Sequence, residues 1–122
     1  MQNLLPKNRT MENLQALKII VEKEQKVNID NTSQVTELDF DFHHKIAMST
    51  GNLVYPLIMN SFKQVYTNLS GLFFKDTSVV KQVFASHHEL FEAIKDGNQD
   101  HAVLIMKRLL KHGEEHLKAL RG

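Results

Sequence analysis

Glu37-Leu-Asp-Phe-Asp-Phe-His-His-Lys-Ile46 decides the reading of this chain. Asp39 and His43 stand four residues apart in it, so on a helix their side chains leave one face a single turn apart. Val35, Leu38, Phe42 and Ile46 around them recur at helical rather than strand spacing. A carboxylate and an imidazole placed in this way form half of a metal or anion site. The plainer alternative is a surface pair worth roughly 0.2–0.5 kcal/mol. What separates the two is whether the later histidines, His87, His88, His112 and His116, come to meet them.

Working outward, five segments read as helical and none as a convincing strand. Thr10 caps a first helix whose stripe is Met11, Leu14, Leu17, Ile20 and Val21, fading in Glu22-Lys-Glu-Gln-Lys26. Asn28-Ile-Asp-Asn-Thr-Ser33 is turn chemistry that also offers the next cap. The second helix runs from about Ser33 to Ser49 and stops at Gly51-Asn52. A third starts after Asn52 with Pro56 in its first turn, where the missing N–H costs little. It carries Leu57, Ile58, Phe62, Val65, Tyr66, Leu69, Leu72 and Phe73, apolar around more than half its circumference, and is expected to be central. The fourth is capped by Asp76 or Thr77 and bands Val80, Val83, Phe84, His87, Leu90, Phe91 and Ile94. Asp96-Gly-Asn-Gln-Asp100 breaks it before a last helix with Ala102, Ile105, Met106, Leu109, Gly113 and His116. Short connections predict an all-α, antiparallel bundle of about five to six helices.

Composition narrows the function. A length of 122 residues suits a single domain with one core. A net charge of +1 without a basic stripe gives no nucleic-acid footprint. The absence of cysteine removes disulfides and thiol chemistry. No apolar run approaches the roughly 18 residues that span a bilayer, and Met1-Gln-Asn-Leu-Leu-Pro-Lys7 lacks a signal peptide's apolar segment, so a cytoplasmic location without membrane partners is expected.

Seven histidines are somewhat many for this length. His44 and His101 read as solvated. His87 sits inside an apolar band, where an unpaired imidazole costs about 1–3 kcal/mol, so it requires a backbone oxygen, a carboxylate, a metal or a ligand. His88 points about 100° away from it. His112 and His116 form an i, i+4 pair beside the last helix's stripe. Neutral imidazoles with one carboxylate suit a divalent metal, zinc or nickel first and manganese or iron next. Enzyme motifs are missing: His88-Glu-Leu-Phe-Glu92 lacks the second histidine of a zincin, and there is no Glu-x-x-His, no Gly-x-Ser-x-Gly and no phosphate loop.

Leu38-Asp-Phe-Asp-Phe-His43-His-Lys-Ile-Ala-Met-Ser-Thr-Gly51-Asn52 resembles the signature of the effector domain of FadR-type regulators in the GntR superfamily. His87-His-Glu-Leu-Phe-Glu-Ala93-Ile94, followed by an acidic glycine-containing turn and Ala102, resembles that domain's second signature, and the likeness runs from about Thr10 to Leu120. The resemblance implies a helical bundle that senses an effector, homodimerises and is not an enzyme. It implies a metal held by Asp39, His43 and His87, with His112 the nearest candidate for the fourth ligand and His88 and His116 as substitutes. A small organic acid is the implied effector. Thr50-Gly-Asn-Leu-Val-Tyr55-Pro and Val65-Tyr66-Thr67 are similar to the fatty-acid regulator that names the group, which binds acyl-CoA without the metal set. On that likeness Asn52 and Tyr66 would touch the ligand. Leu110, Lys111 and Leu117 replace the residues expected for acyl-CoA, which tilts the expectation to metal plus small carboxylate.

These regulators carry an N-terminal winged helix-turn-helix, which Met1 to Thr10 cannot supply. The chain therefore reads over 1–122 as an effector half that reaches DNA only through another domain. Two rivals remain from other classes. A metal-dependent hydrolase or lyase needs a general base, for which Glu89 and Asp41 are nearest by sequence. A metal-free interaction bundle needs no site at all.

Overall fold

The turn residues between the apolar stripes do the capping in a computed structural model of the chain, which describes residues 11–49, 54–61 and 63–121. Six helices occur among the described residues, with no strand: α1 Met11–Lys26, α2 Thr32–Ser49, α3 Val54–Ser61, α4 Lys63–Phe73, α5 Thr77–Lys95 and α6 Gln99–Arg121. The all-α bundle expected from periodicity is what forms. Asn31 Oδ1 accepts from the Gln34 amide at 3.1 Å to open α2, Asp76 Oδ1 from Ser78 at 2.9 Å to open α5, and Asn98 Oδ1 from His101 at 3.1 Å to open α6. Helix α5 ends because Gly97 takes a left-handed φ of 73°. That turn lets Asn98 N–H reach the Ala93 carbonyl and Gly97 N–H the Ile94 carbonyl, satisfying two terminal acceptors.

Helix α1 packs on α2 and α5, α5 on α6, and α2 on α3, α4 and α5. Two apolar clusters result. Leu17, Ile20, Val21, Phe42, Ile46, Leu90, Phe91, Ile94 and Ile105 join α1, α2, α5 and α6. Val35, Phe74, Val79, Val80 and Val83 form the other. Along α2, Asp39 falls between Val35 and Phe42; along α5, His87 falls between Val83 and Leu90. Asp39 and His87 thus fall between the two clusters along their helices.

Two expectations are corrected. The stretch read as one central helix after Asn52 is two helices, α3 and α4, with residue 62 between them outside the described residues. Nor is it central: Leu57, Ile58, Val65, Leu69 and Leu72 are exposed. Apolar excess predicts burial only where neighbours cover every face, and α4 packs on α2 and α3 alone among its stronger contacts. Helix α1 ends at Lys26, at the close of the stretch in which it is expected to fade, and buries Glu24 near that end. Position 24 prolongs the stripe of Leu17, Ile20 and Val21, so the helix carries that carboxylate inward.

Candidate metal centre and its cavity

Helix α2 presents Asp39 and His43 one turn apart, and the packing of α2 on α5 brings His87 to them. One ligand atom from each of Asp39, His43 and His87 lies within 4.8 Å of the other two. His87 Nε2 is 3.3 Å from Asp39 Oδ1, and His43 Nε2 is 3.4 Å from the same oxygen. The two imidazoles meet edge to face, with centroids 5.0 Å apart. Phe42 stacks on His87 at 4.0 Å and 9°, which fixes the plane of that ring. Asp39 and His87 are buried and His43 is half-buried.

Asp39 and His87 each have a partner beyond the three. Tyr66, on α4, donates its hydroxyl to Asp39 Oδ2 at 2.6 Å. On the far side of His87, Nδ1 lies 2.7 Å from Glu24 Oε2 of α1, with both side chains almost wholly buried. His87 Nε2 is buried with no hydrogen-bond partner among the described residues, and so is Glu24 Oε1. An orphaned imidazole nitrogen beside a second imidazole and a carboxylate is a donor set that fits a divalent metal.

The electrostatics follow from this packing. Burial pushes the Asp39 carboxyl up, but His43 and then His87 more than offset it and hold it well below the usual carboxylate range. Burial works against a charged His87 ring, yet its contacts with Asp39 and Glu24 raise it to about 9. Glu24 is raised, chiefly by burial, against the pull of His87. The Tyr66 hydroxyl is pushed far up by burial and by the Asp39 charge, so it stays a donor.

A cavity of about 520 Å³ opens beside the cluster. Asp39, His43, Tyr66 and Ser70 line its polar end, and Phe73, Phe74, Val79, Val83, Met106 and Leu109 make most of the remainder. His112 and His116 of α6 line it too, without joining the three close donors. His116 Nδ1 lies 2.8 Å from the His112 carbonyl, which commits that nitrogen to donating. Burial and then His116 lower His112, favouring its neutral form. His88 is exposed on α5, 3.9 Å from Glu92. Asn52 lies outside the described residues.

Other residues depart from the sequence reading. Glu24 was missed, although its place on the α1 stripe was the available signal. His44 is half-buried, stacked on Phe40 at 5.6 Å, rather than solvated. Neither candidate base lines the cavity. Asp41 is exposed, and Glu89 is engaged by Arg108 at 2.6 Å and His101 at 3.1 Å on another face. No helix of the described residues is long and apolar enough to cross a membrane.

Comparison with known proteins adds the family. Residues 6–122 match the FadR C-terminal domain. A fatty acid metabolism regulator protein of Shewanella amazonensis is 33% identical over 66 residues, 54% of this chain and 28% of that protein. Its namesake in Shewanella denitrificans is 36% identical over 50 residues, 40% of this chain and 21% of that protein. The one in Klebsiella pneumoniae is 25% identical over 79 residues, 65% of this chain and 33% of that protein. The chain thus spans a third or less of the length of these relatives, which are described as regulators and not as enzymes. No solved structure gives a significant match. With the domain match covering nearly all of its length, the chain belongs to the FadR C-terminal domain family.

Proposed function

We propose that this chain is the effector-sensing domain of a transcription regulator, binding a divalent metal and a small carboxylate that together govern a DNA-binding domain elsewhere in the protein. The observation that carries the reading is the convergence of Asp39, His43 and His87 within 4.8 Å at the polar end of a largely apolar cavity. Asp39, His43 and His87 would hold the metal, zinc or nickel first and manganese or iron next, with His112 approaching from α6 as a fourth ligand. The metal would supply a fixed positive charge for an anionic ligand. Asn52 and Tyr66 are proposed ligand contacts, Tyr66 on the strength of its place in the cavity lining.

A small carboxylate suits the cavity better than acyl-CoA. No lysine or arginine occurs among the described residues that line it, so the phosphates of a CoA group would find no cationic partner there. An occupant would touch α2 and α4 on one wall and α6 on the other, and differential contact with two arrangements of those walls is how a ligand shifts a conformational equilibrium. The absence of Glu89 and Asp41 from the cavity lining weighs against a hydrolase or lyase. A cytoplasmic homodimer completes the proposal, supported by the exposed apolar residues of α3 and α4.

Metal analysis of untagged protein tests the core of the reading. About one metal per chain is expected in the wild type and a sharp loss in the His43→Ala, His87→Ala double variant. Unchanged stoichiometry in that variant sinks the assignment.

A further inference from the structure

A buried glutamate at the end of α1 is hard to explain as packing. Glu24 is 3% exposed, Oε1 has no hydrogen-bond partner among the described residues, and Oε2 meets His87 Nδ1 at 2.7 Å. An apolar side chain would continue the stripe of Leu17, Ile20 and Val21 without the cost of burying a carboxylate. What the carboxylate adds is direction. Phe42 fixes the plane of the His87 ring by stacking, but stacking is indifferent to a flip that exchanges the ring nitrogens. Glu24 is not: an ionised carboxylate only accepts, so it selects the arrangement in which Nδ1 carries the proton and faces it.

We propose that Glu24 is a positioning residue of the candidate metal centre: by accepting the Nδ1–H of His87 it fixes the ring's orientation and tautomer, and so aims the Nε2 lone pair at the space shared with Asp39 and His43. The inference rests on the metal reading above. The opposite nitrogen already stands 3.3 Å from Asp39 Oδ1, buried and without a hydrogen bond. Metal-bound histidines in general donate their other N–H to a carboxylate or carbonyl, and loss of that partner typically weakens metal binding by about 10–100-fold. Glu24 comes from a helix that contributes none of the three close donors, and it meets them at His87 Nδ1.

The experiment compares wild-type protein with Glu24→Leu and Glu24→Gln, using cobalt(II) and zinc(II) as probes. Circular dichroism and melting of the metal-free forms establish that each variant is folded. Glu24→Leu keeps the volume and removes the acceptor, and metal affinity is expected to fall by about 10–100-fold. Glu24→Gln retains an oxygen that can accept from Nδ1, and should recover part of that loss. In zinc-loaded wild type, nitrogen-15 correlation spectra should show His87 with a proton on Nδ1 and metal on Nε2. A fully structural Glu24 would move the melting temperature without moving affinity or the cobalt spectrum. Wild-type affinity in folded Glu24→Leu therefore overturns the proposal while leaving the metal site standing. Failure of wild-type protein to bind either metal overturns both.

Discussion

The Tyr66 hydroxyl donates to Asp39 Oδ2 across 2.6 Å, tying α4 to α2 at the carboxylate whose other oxygen faces His43 and His87. Asp39 is buried, so an oxygen that loses its donor is left poorly solvated. Hydrogen bonds to charged groups contribute about 1.5–3 kcal/mol. Tyr66→Phe keeps the ring and removes only this bond. The metal-free protein should lose about that much stability, seen as a fall of several degrees in melting temperature. Zinc affinity should fall by about tenfold, because Asp39 is then free to turn away from the histidines. Titration calorimetry and melting curves check both, and wild-type values would mean that the bond orients nothing.

How much of this was legible before folding depends on the kind of signal. Asp39 and His43 share a helix, so their spacing alone places them together. His87 announced itself by interrupting the band of Val83, Phe84, Leu90 and Phe91. Glu24 was harder to read, because its place on the α1 stripe points inward while a charged residue near a helix end usually faces water. The division of α3 from α4 was hidden, since both pieces share one apolar periodicity. Where α6 sets His112 and His116 depends on how far it stands from α2, which no local pattern encodes.

Protonation of the cluster sets a pH dependence for the metal-free protein. His87 is held at about 9 against an ordinary 6.5, so its contribution is complete below pH 6.5 and is lost as pH rises to about 9. Glu24, raised by burial, shifts stability in the same direction. Asp39 is depressed from 3.8, so its contribution is complete above that pH and is lost only as acid is taken well below it. Melting temperature in chelator should therefore be highest in mildly acidic solution and decline towards pH 9. His87→Gln should flatten the alkaline decline. Added zinc should stabilise more strongly at pH 8 than at pH 6, because ligation requires His87 Nε2 without its proton.

The exposed side chains of Leu57, Ile58, Val65, Leu69 and Leu72 bear on assembly. If α3 and α4 cover each other across a two-fold axis, Leu57→Glu with Leu69→Glu places like charges on both sides of the contact. Sedimentation equilibrium should then show a dimer in wild type and a monomer in the double variant, with helical content preserved. A wild-type monomer across the micromolar range, or a variant that remains dimeric, removes this face from the interface.

The last prediction concerns what the cavity admits. Its lining pairs one polar end, at Asp39, His43 and Tyr66, with the apolar residues Phe74, Val79, Val83, Met106 and Leu109. A ligand with a single carboxylate and an apolar body leaves few polar atoms unmatched there, whereas citrate buries carboxylates against hydrocarbon. In zinc-loaded protein, octanoate should therefore raise the melting temperature more than citrate does at equal concentration. Ligand at a hundred times its dissociation constant stabilises by about 2.7 kcal/mol, which is well within reach of a melting curve. Val83→Phe narrows the apolar part without changing any of the three donors, and should abolish the octanoate shift with zinc affinity retained. Equal shifts from both acids, or an octanoate response that survives Val83→Phe, would place the effector outside this cavity.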